Sequence, residues 1–170
     1  MALRSAAAAL GLLAILAAPA HAHVVLDRAE VPADSYVRLA FWVGHGCQGA
    51  ATTGIRITVP PELRAARPMP HPGWMLGVSP APVADHAGHA GHHAAPAPGE
   101  IAWTGGRLDD AFFDEFVLLV RTPAEPGGVI TFPVLQECEG GAVSRWMARP
   151  SAPGERVRDP APAVRVVAKP

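Results

Sequence analysis

Ala20-His21-Ala22-His23 sets two histidines where an apolar leader meets the rest of the chain. Ala20-x-Ala22 is a small-x-small signal of the kind signal peptidase cuts. A cut after Ala22 makes His23 the first residue, with a free α-amine and an imidazole together. Those two nitrogens can close a chelate ring on a metal ion, which an internal histidine cannot do. Ala18-Pro19-Ala20 also fits the cleavage pattern. That cut leaves His21-Ala22-His23, which chelates Cu(II) or Ni(II) through its amine, two backbone amides and the third-position imidazole. Proline inside that pattern is less usual and favours the cut after Ala22.

Further histidines follow. His86, His89, His92 and His93 stand in Asp-His-Ala-Gly-His-Ala-Gly-His-His. Histidine is the commonest metal-binding side chain, so this cluster reads as a loose secondary site for Cu(II), Ni(II) or Zn(II). His45, between two glycines and beside Cys47, has two readings. It is first of all a loop histidine without a role, and otherwise a group behind the ligands or an outer ligand. Met69, Met75 and Met147 are too scattered for a Cu(I) methionine motif and read as packing. Two cysteines, Cys47 and Cys138, remain after the leader. In an exported protein an even pair most simply forms one disulfide. Closing so long a loop stabilises by about 4 kcal/mol in the chain-entropy account. A pair of copper-binding thiolates is the alternative.

The elements that must hold these groups are short and strand-like. Residues 1–22 read as a cleaved signal peptide, with Arg4 ahead of an apolar run too short for a membrane span, which needs about 20 apolar residues. Residues 23–170 then fit one domain, exported to the periplasm or secreted, with no membrane span after cleavage. The leader removes Arg4, so the formal charge goes from −1 to −2. A nearly neutral protein gives no electrostatic case for nucleic acid or an anionic membrane surface.

Val24 to Leu26, Tyr36 to Val43, Ile55 to Val59 and Trp74 to Val78 read as strands. The Tyr36 strand is expected to be buried, and Pro32 to Ser35 to turn. Ser79 to Gly99 is Ala, Pro, Gly and His with no large apolar residue beyond Val83, so a flexible His-rich loop is expected there. Glu100 to Thr104 resumes a strand and Gly105-Gly106 turns. Phe112 to Val120 is the most apolar strand. It sets Glu115 on one face with Phe113, Val117 and Leu119. Val129 to Cys138 follows, with Pro133 suggesting an edge or bulge. Glu139-Gly140-Gly141 makes a hairpin turn into Ala142 to Ala148, which carries Trp146. Val164 to Val167 closes the series. With no convincing helical period, the pattern predicts an all-β chain folded as an antiparallel β-sandwich.

Several separated blocks occur in one order: Ala22-His23-Val24, Gly46-Cys47, Pro72-Gly73-Trp74, Trp103 to Gly106, Phe113 to Phe116, and Phe132 to Cys138 through Gly141 to Trp146. On them the chain resembles the YcnI-type copper-binding proteins, from His23 to about Trp146. The resemblance implies an immunoglobulin- or fibronectin-III-like sandwich with one Cu(II) in a monohistidine brace. Carried over, the brace is the amine and ring of His23, the Glu115 carboxylate, and Trp146 over the metal. The absence of a C-terminal membrane helix, and the insertion holding His86 to His93, depart from some members without touching the brace.

The chemistry suits these residues. Cu(II) favours a tetragonal set of nitrogen and oxygen donors. His23 supplies two nitrogens and Glu115 an anionic oxygen. Trp146 attracts a cation through its ring face and blocks an axial position. The expected function is non-enzymatic: a copper-binding protein that stores copper, or passes it to another periplasmic copper chaperone or a membrane copper transporter. Two rivals stand beside it, a copper-dependent oxidative enzyme of the polysaccharide-monooxygenase type and an adhesion or assembly module with incidental metal binding. No Gly-x-Ser-x-Gly, phosphate loop or His-Glu-x-x-His is present.

Overall fold

Apolar residues at every second position drive the chain into strands that each bury one face. The computed structural model describes residues 23–81, 98–152 and 154–170. The leader with both cleavage patterns, and His86, His89, His92 and His93, lie outside the described residues. In chain order the strands are β1 (Val25–Leu26), β2 (Glu30–Pro32), β3 (Tyr36–Val43), β4 (Thr52–Thr58), β5 (Ala65–Pro68), β6 (Met75–Pro80), β7 (Pro98–Leu108), β8 (Asp114–Arg121), β9 (Val129–Thr131), β10 (Val134–Cys138), β11 (Val143–Trp146) and β12 (Ala163–Val167). No α-helix occurs among the described residues, and no helix there is long and apolar enough to cross a membrane.

The strands form three sheets, ordered β1-β3-β8-β5, β11-β10-β4-β7-β6 and β2-β12-β9. Every strand pair is antiparallel except β12 with β2. The two larger sheets face one another across a single core. Leu39, Phe41, Phe116 and Leu118 enter it from the first sheet, and Ile55, Ile57, Ile101, Trp103 and Val134 from the second. Trp103 meets Phe116 across that interface at 5.4 Å between ring centroids. The all-β, immunoglobulin-like sandwich expected from the sequence is the observed architecture.

The buried strand expected from Tyr36 to Val43 is β3, with Val37, Leu39, Ala40, Phe41 and Val43 buried and Tyr36, Arg38 and Trp42 exposed. Several local expectations are corrected. Gly105-Gly106 does not end a strand, because β7 runs through both residues to Leu108. The register against β4 shifts there, from Gly54↔Thr104 to Thr52↔Leu108, and Gly105 takes φ of 75°. Glycine therefore supplies a bulge rather than a turn. Gly106 is needed for a second reason: a Cβ there would lie 2.2 Å from the Trp74 ring. The expected strand from Val129 to Cys138 is two strands in two sheets, β9 pairing with β12 and β10 with β4 and β11. Phe132-Pro133 is the crossing point, and the missing proline N–H suits a place where the ladder is interrupted. The His-rich segment is narrower than expected, since Pro80 already pairs with Pro98. β2 and β5 are further strands, short enough to leave no readable period.

Cys47 and Cys138 form the expected disulfide, with Cα atoms 5.9 Å apart and 91 positions between them in sequence. The bond excludes the thiolate-pair alternative. It ties the segment after β3 to the end of β10, beside the turn that leads to Trp146.

Candidate metal centre

β1 is an edge strand of two residues, and His23 and Val24 lead directly into it. Val25 pairs with Trp42 and Leu26 with Phe41. Val24 anchors the start, being 3% exposed and part of the core. The His23 ring then lies against the Trp146 indole, with centroids 5.3 Å apart and planes tilted by 57°.

Trp146 ends β11 opposite Val134 of β10 and is 3% exposed. It is a core residue as well as the neighbour of His23. Its indole N–H donates to Gln136 Oε1 at 3.1 Å. Gln136, 1% exposed, donates in turn to the His45 carbonyl at 2.7 Å and to Thr52 Oγ1 at 2.7 Å. One buried amide thus holds both the indole and the His45 backbone. The His45 ring stands edge-on to the same indole, with centroids 6.4 Å apart.

The segment around His45 is held from several sides. Gly46 N–H donates to Asp110 Oδ1 at 2.9 Å. Cys47 exchanges backbone hydrogen bonds with Ala50. A Cβ on Gly46 would fall 1.7 Å from the Ala50 carbonyl oxygen, so this position has room for glycine alone.

Glu115 lies elsewhere. It pairs with Trp42 across β3 and β8, so β3 separates it from β1. Strands lie about 4.8 Å apart, and two such spacings stand between Glu115 and the strand that begins at His23. Its carboxylate accepts from Arg38 Nη2 at 2.7 Å, with both side chains substantially exposed. The structure thus brings His23 and Trp146 together and leaves Glu115 in an ion pair on the outer face of the first sheet.

Next to His23, an open groove runs between β1 and Pro160–Ala163 and includes Asp27 and Arg28. Burial raises the Asp27 pKa. The hydrogen bond from Arg28, the Ala40 amide and the charges of Arg28 and Arg38 outweigh that and hold it below the ordinary carboxyl value. The Arg28 pKa rises, chiefly through its hydrogen bond to Asp27. These groups neutralise one another and form no set of donors. At the start of β8, His71 Nε2 contacts Asp114 Oδ2 at 2.9 Å and its ring packs on Phe116 and Trp74. That pair is part of the aromatic packing that holds the Pro72-Gly73-Trp74 block.

Among the described residues no three His, Cys, Asp or Glu side chains converge as a metal cluster. The residues fit copper on a different footing. A terminus cut before His23 adds a backbone amine to the imidazole that already rests on Trp146, and nitrogen donors suit Cu(II). Sequence reasoning missed Gln136. The signal was available, because Gln136 is the polar member of an inward series with Val134 and Cys138.

Residues 23–166 match the family described as "Domain of unknown function (DUF1775)". No curated protein matches the chain. Among solved structures, an uncharacterized protein from Nocardia farcinica, described as having an immunoglobulin-like fold, is similar at 27% identity and a TM-score of 0.65. The likeness covers 85% of this chain and 98% of that one.

Proposed function

The chain belongs to the DUF1775 family, a domain that YcnI-type proteins carry, and on that footing we propose that it is an exported protein that binds one Cu(II) at a mature N-terminal His23. Its role is to store copper, or to pass it to a periplasmic copper chaperone or a membrane copper transporter. The observation that carries this reading is the His23 ring lying 5.3 Å from the Trp146 ring, at the first residue of the domain.

Copper is the cargo here. The His23 amine and ring nitrogen bind it, and Trp146 covers one side, where its ring face attracts a cation. Gln136 keeps the indole from turning by accepting its N–H. Glu115 joins the donor set only by leaving Arg38. The amine must lose a proton to bind, and its ordinary pKa is about 7.7–8.0. Affinity therefore falls as pH drops below that range.

The test is the intact mass and terminal sequence of the exported protein, followed by Cu(II) titration of that material. A start at His23 with one tight Cu(II), lost when one residue is added before His23, is the expected result. A start at His21, or equal affinity in the extended form, refutes the brace. A second reading, a copper-dependent oxidative enzyme, is favoured by one observation: a second imidazole, His45, stands on the same indole. Turnover of sugars to oxidised products by copper-loaded protein with a reductant would establish that reading over the first.

A further inference from the structure

We propose that β6 is a dimerisation edge, which pairs in antiparallel fashion with β6 of a second copy of this chain.

β6 ends the sheet β11-β10-β4-β7-β6, and its ladder is to β7 alone. A strand in that place presents a row of backbone N–H and C=O groups on its outer side, a template for pairing with another chain. Folded proteins blunt such edges by shortness, charge or cover. Among the described residues the other five edge strands are blunted. β1, β2 and β9 have two or three residues. β5 and β11 have four, and carry Arg67 and Arg145. β6 has six residues, Met-Leu-Gly-Val-Ser-Pro, without a charge, and all six are exposed.

The core is open at this edge. Residues directly opposite in an antiparallel ladder share a face. Leu76 pairs with Trp103 and Val78 with Ile101. Trp103 and Ile101 are fully buried in the core, so Leu76 and Val78 point to the core side. They are nonetheless 38% and 55% exposed. Between them stands Gly77. A glycine inside a strand weakens it, and often marks the close approach of another backbone. Gly77 lies in regular register opposite Ala102 and has no positive φ. A Cβ there would meet nothing nearer than the Ala102 carbonyl oxygen, at 3.9 Å. The single chain therefore gives no reason for glycine at this position.

The edge calls for an extended, uncharged, apolar strand, and β6 is one. Setting Gly77 against its own copy places Leu76 opposite the partner's Val78 and Met75 opposite the partner's Ser79. Core side then meets core side, and the uncovered Leu76 and Val78 of both copies cover one another. Such a two-fold contact uses up both β6 edges and leaves only blunted ones, so assembly stops at two chains. A formal charge of −1 on the whole chain opposes self-association little. Pro80 lacks an N–H and the register against β7 shifts beside it, which limits the contact to Met75–Ser79. So short a contact lies at the low end of interface size, and the dimer is expected to form as concentration rises. β6 is at the opposite edge of its sheet from β11, which carries Trp146, so pairing leaves the metal centre uncovered.

The test is sedimentation of the exported protein at concentrations up to the millimolar range. The mass is expected to move from that of one chain towards that of two. Val78→Lys puts a charge at a half-exposed position, so the single chain keeps its fold, which circular dichroism checks, and the shift should be abolished. Gly77→Cys probes the register without relying on that variant. Opposed strand residues have Cα atoms about 4.5–5.5 Å apart, within disulfide reach. Cys47 and Cys138 are already joined, so the introduced thiol is the one free to crosslink. Mild oxidation should give a covalent dimer on a non-reducing gel. A protein that stays single at every concentration, a dimer indifferent to Val78→Lys, or a Gly77→Cys protein that does not crosslink overturns the pairing.

Discussion

Replacing Gln136 by leucine removes the one side chain that joins Trp146, His45 and Thr52. Leucine has nearly the same bulk, so the effect is one of hydrogen bonding rather than of a cavity. Three partners lose a bond: the indole N–H at 3.1 Å, the His45 carbonyl at 2.7 Å and the Thr52 hydroxyl at 2.7 Å. Thr52 is fully buried and Trp146 is 3% exposed, so water cannot readily replace the amide at either. Each buried group left unpaired costs about 1–3 kcal/mol. Leucine returns part of this by burying more apolar surface, at about 0.8 kcal/mol per methylene. The net expectation is a loss of about 2–4 kcal/mol. Urea unfolding followed by Trp fluorescence measures it, with an unchanged slope showing that the same surface is exposed. Gln136→Glu sharpens the test, since it keeps the acceptor for the indole and loses both donated bonds. A buried carboxylate with no cation beside it has a raised pKa. Its penalty grows as pH rises through the unfolded value, so this variant should be less stable at pH 7 than at pH 4 relative to the parent. A loss below about 0.5 kcal/mol for Gln136→Leu, the range of an ordinary surface change, would refute the claim that this amide organises the site.

Three other outcomes follow from the geometry. Gly46→Ala should destabilise by about 2 kcal/mol or more in thermal unfolding, because its Cβ meets the rigid Ala50 carbonyl at 1.7 Å and forces a backbone shift. Glu115→Gln should change stability by less than about 1 kcal/mol, as exposed ion pairs do, and should change Cu(II) affinity less than about threefold while Glu115 stays paired with Arg38; a tenfold loss by competition titration would return Glu115 to the metal. Asp27 has a folded pKa below its ordinary 3.8, so its contribution is present above the unfolded value and is lost as pH falls through the lower, folded one. Asp27→Asn should therefore cost stability near neutral pH, with the difference from the parent closing below pH 3.8 in acid unfolding curves.

Period-two alternation made the sandwich legible, because a strand that buries one face must write that fact into every second residue. β8 shows this in part: Phe116, Leu118 and Val120 are buried on one side, while on the other Glu115 and Leu119 are partly or fully exposed and Val117 is buried. Alternation is silent about what interrupts it. Gly105-Gly106 carries the composition of a turn, yet β4 and β6 on either side keep β7 extended through it. Likewise Pro133 marks a break without saying that the chain changes sheets there. At the site the limit is different. Strand parity gives the face of Glu115 but not its neighbour across the sheet, and the Arg38 pairing depends on the β3–β8 register. The proximity of His45 to Trp146 joins residues about a hundred positions apart. It is set by the disulfide and the Gln136 bridge, neither of which leaves a local pattern around His45.

On the proposed reading, the placement of His23 links copper binding to export. An α-amine at His23 exists only once the bond after Ala22 is cut, so the uncut chain offers the imidazole without its chelating partner. The fold makes that terminus useful by geometry rather than by affinity. β1 is two residues long and has little ladder of its own to hold it, so Val24 in the core and two register pairs with β3 hold the chain next to His23. With a mature terminus at His23, as proposed, beside an indole whose N–H is already satisfied by Gln136, the ring face of Trp146 is the surface a bound metal would meet. A protein built this way should bind copper at this site only after processing, and the one-residue extension before His23 tests that claim as directly as it tests the ligand set.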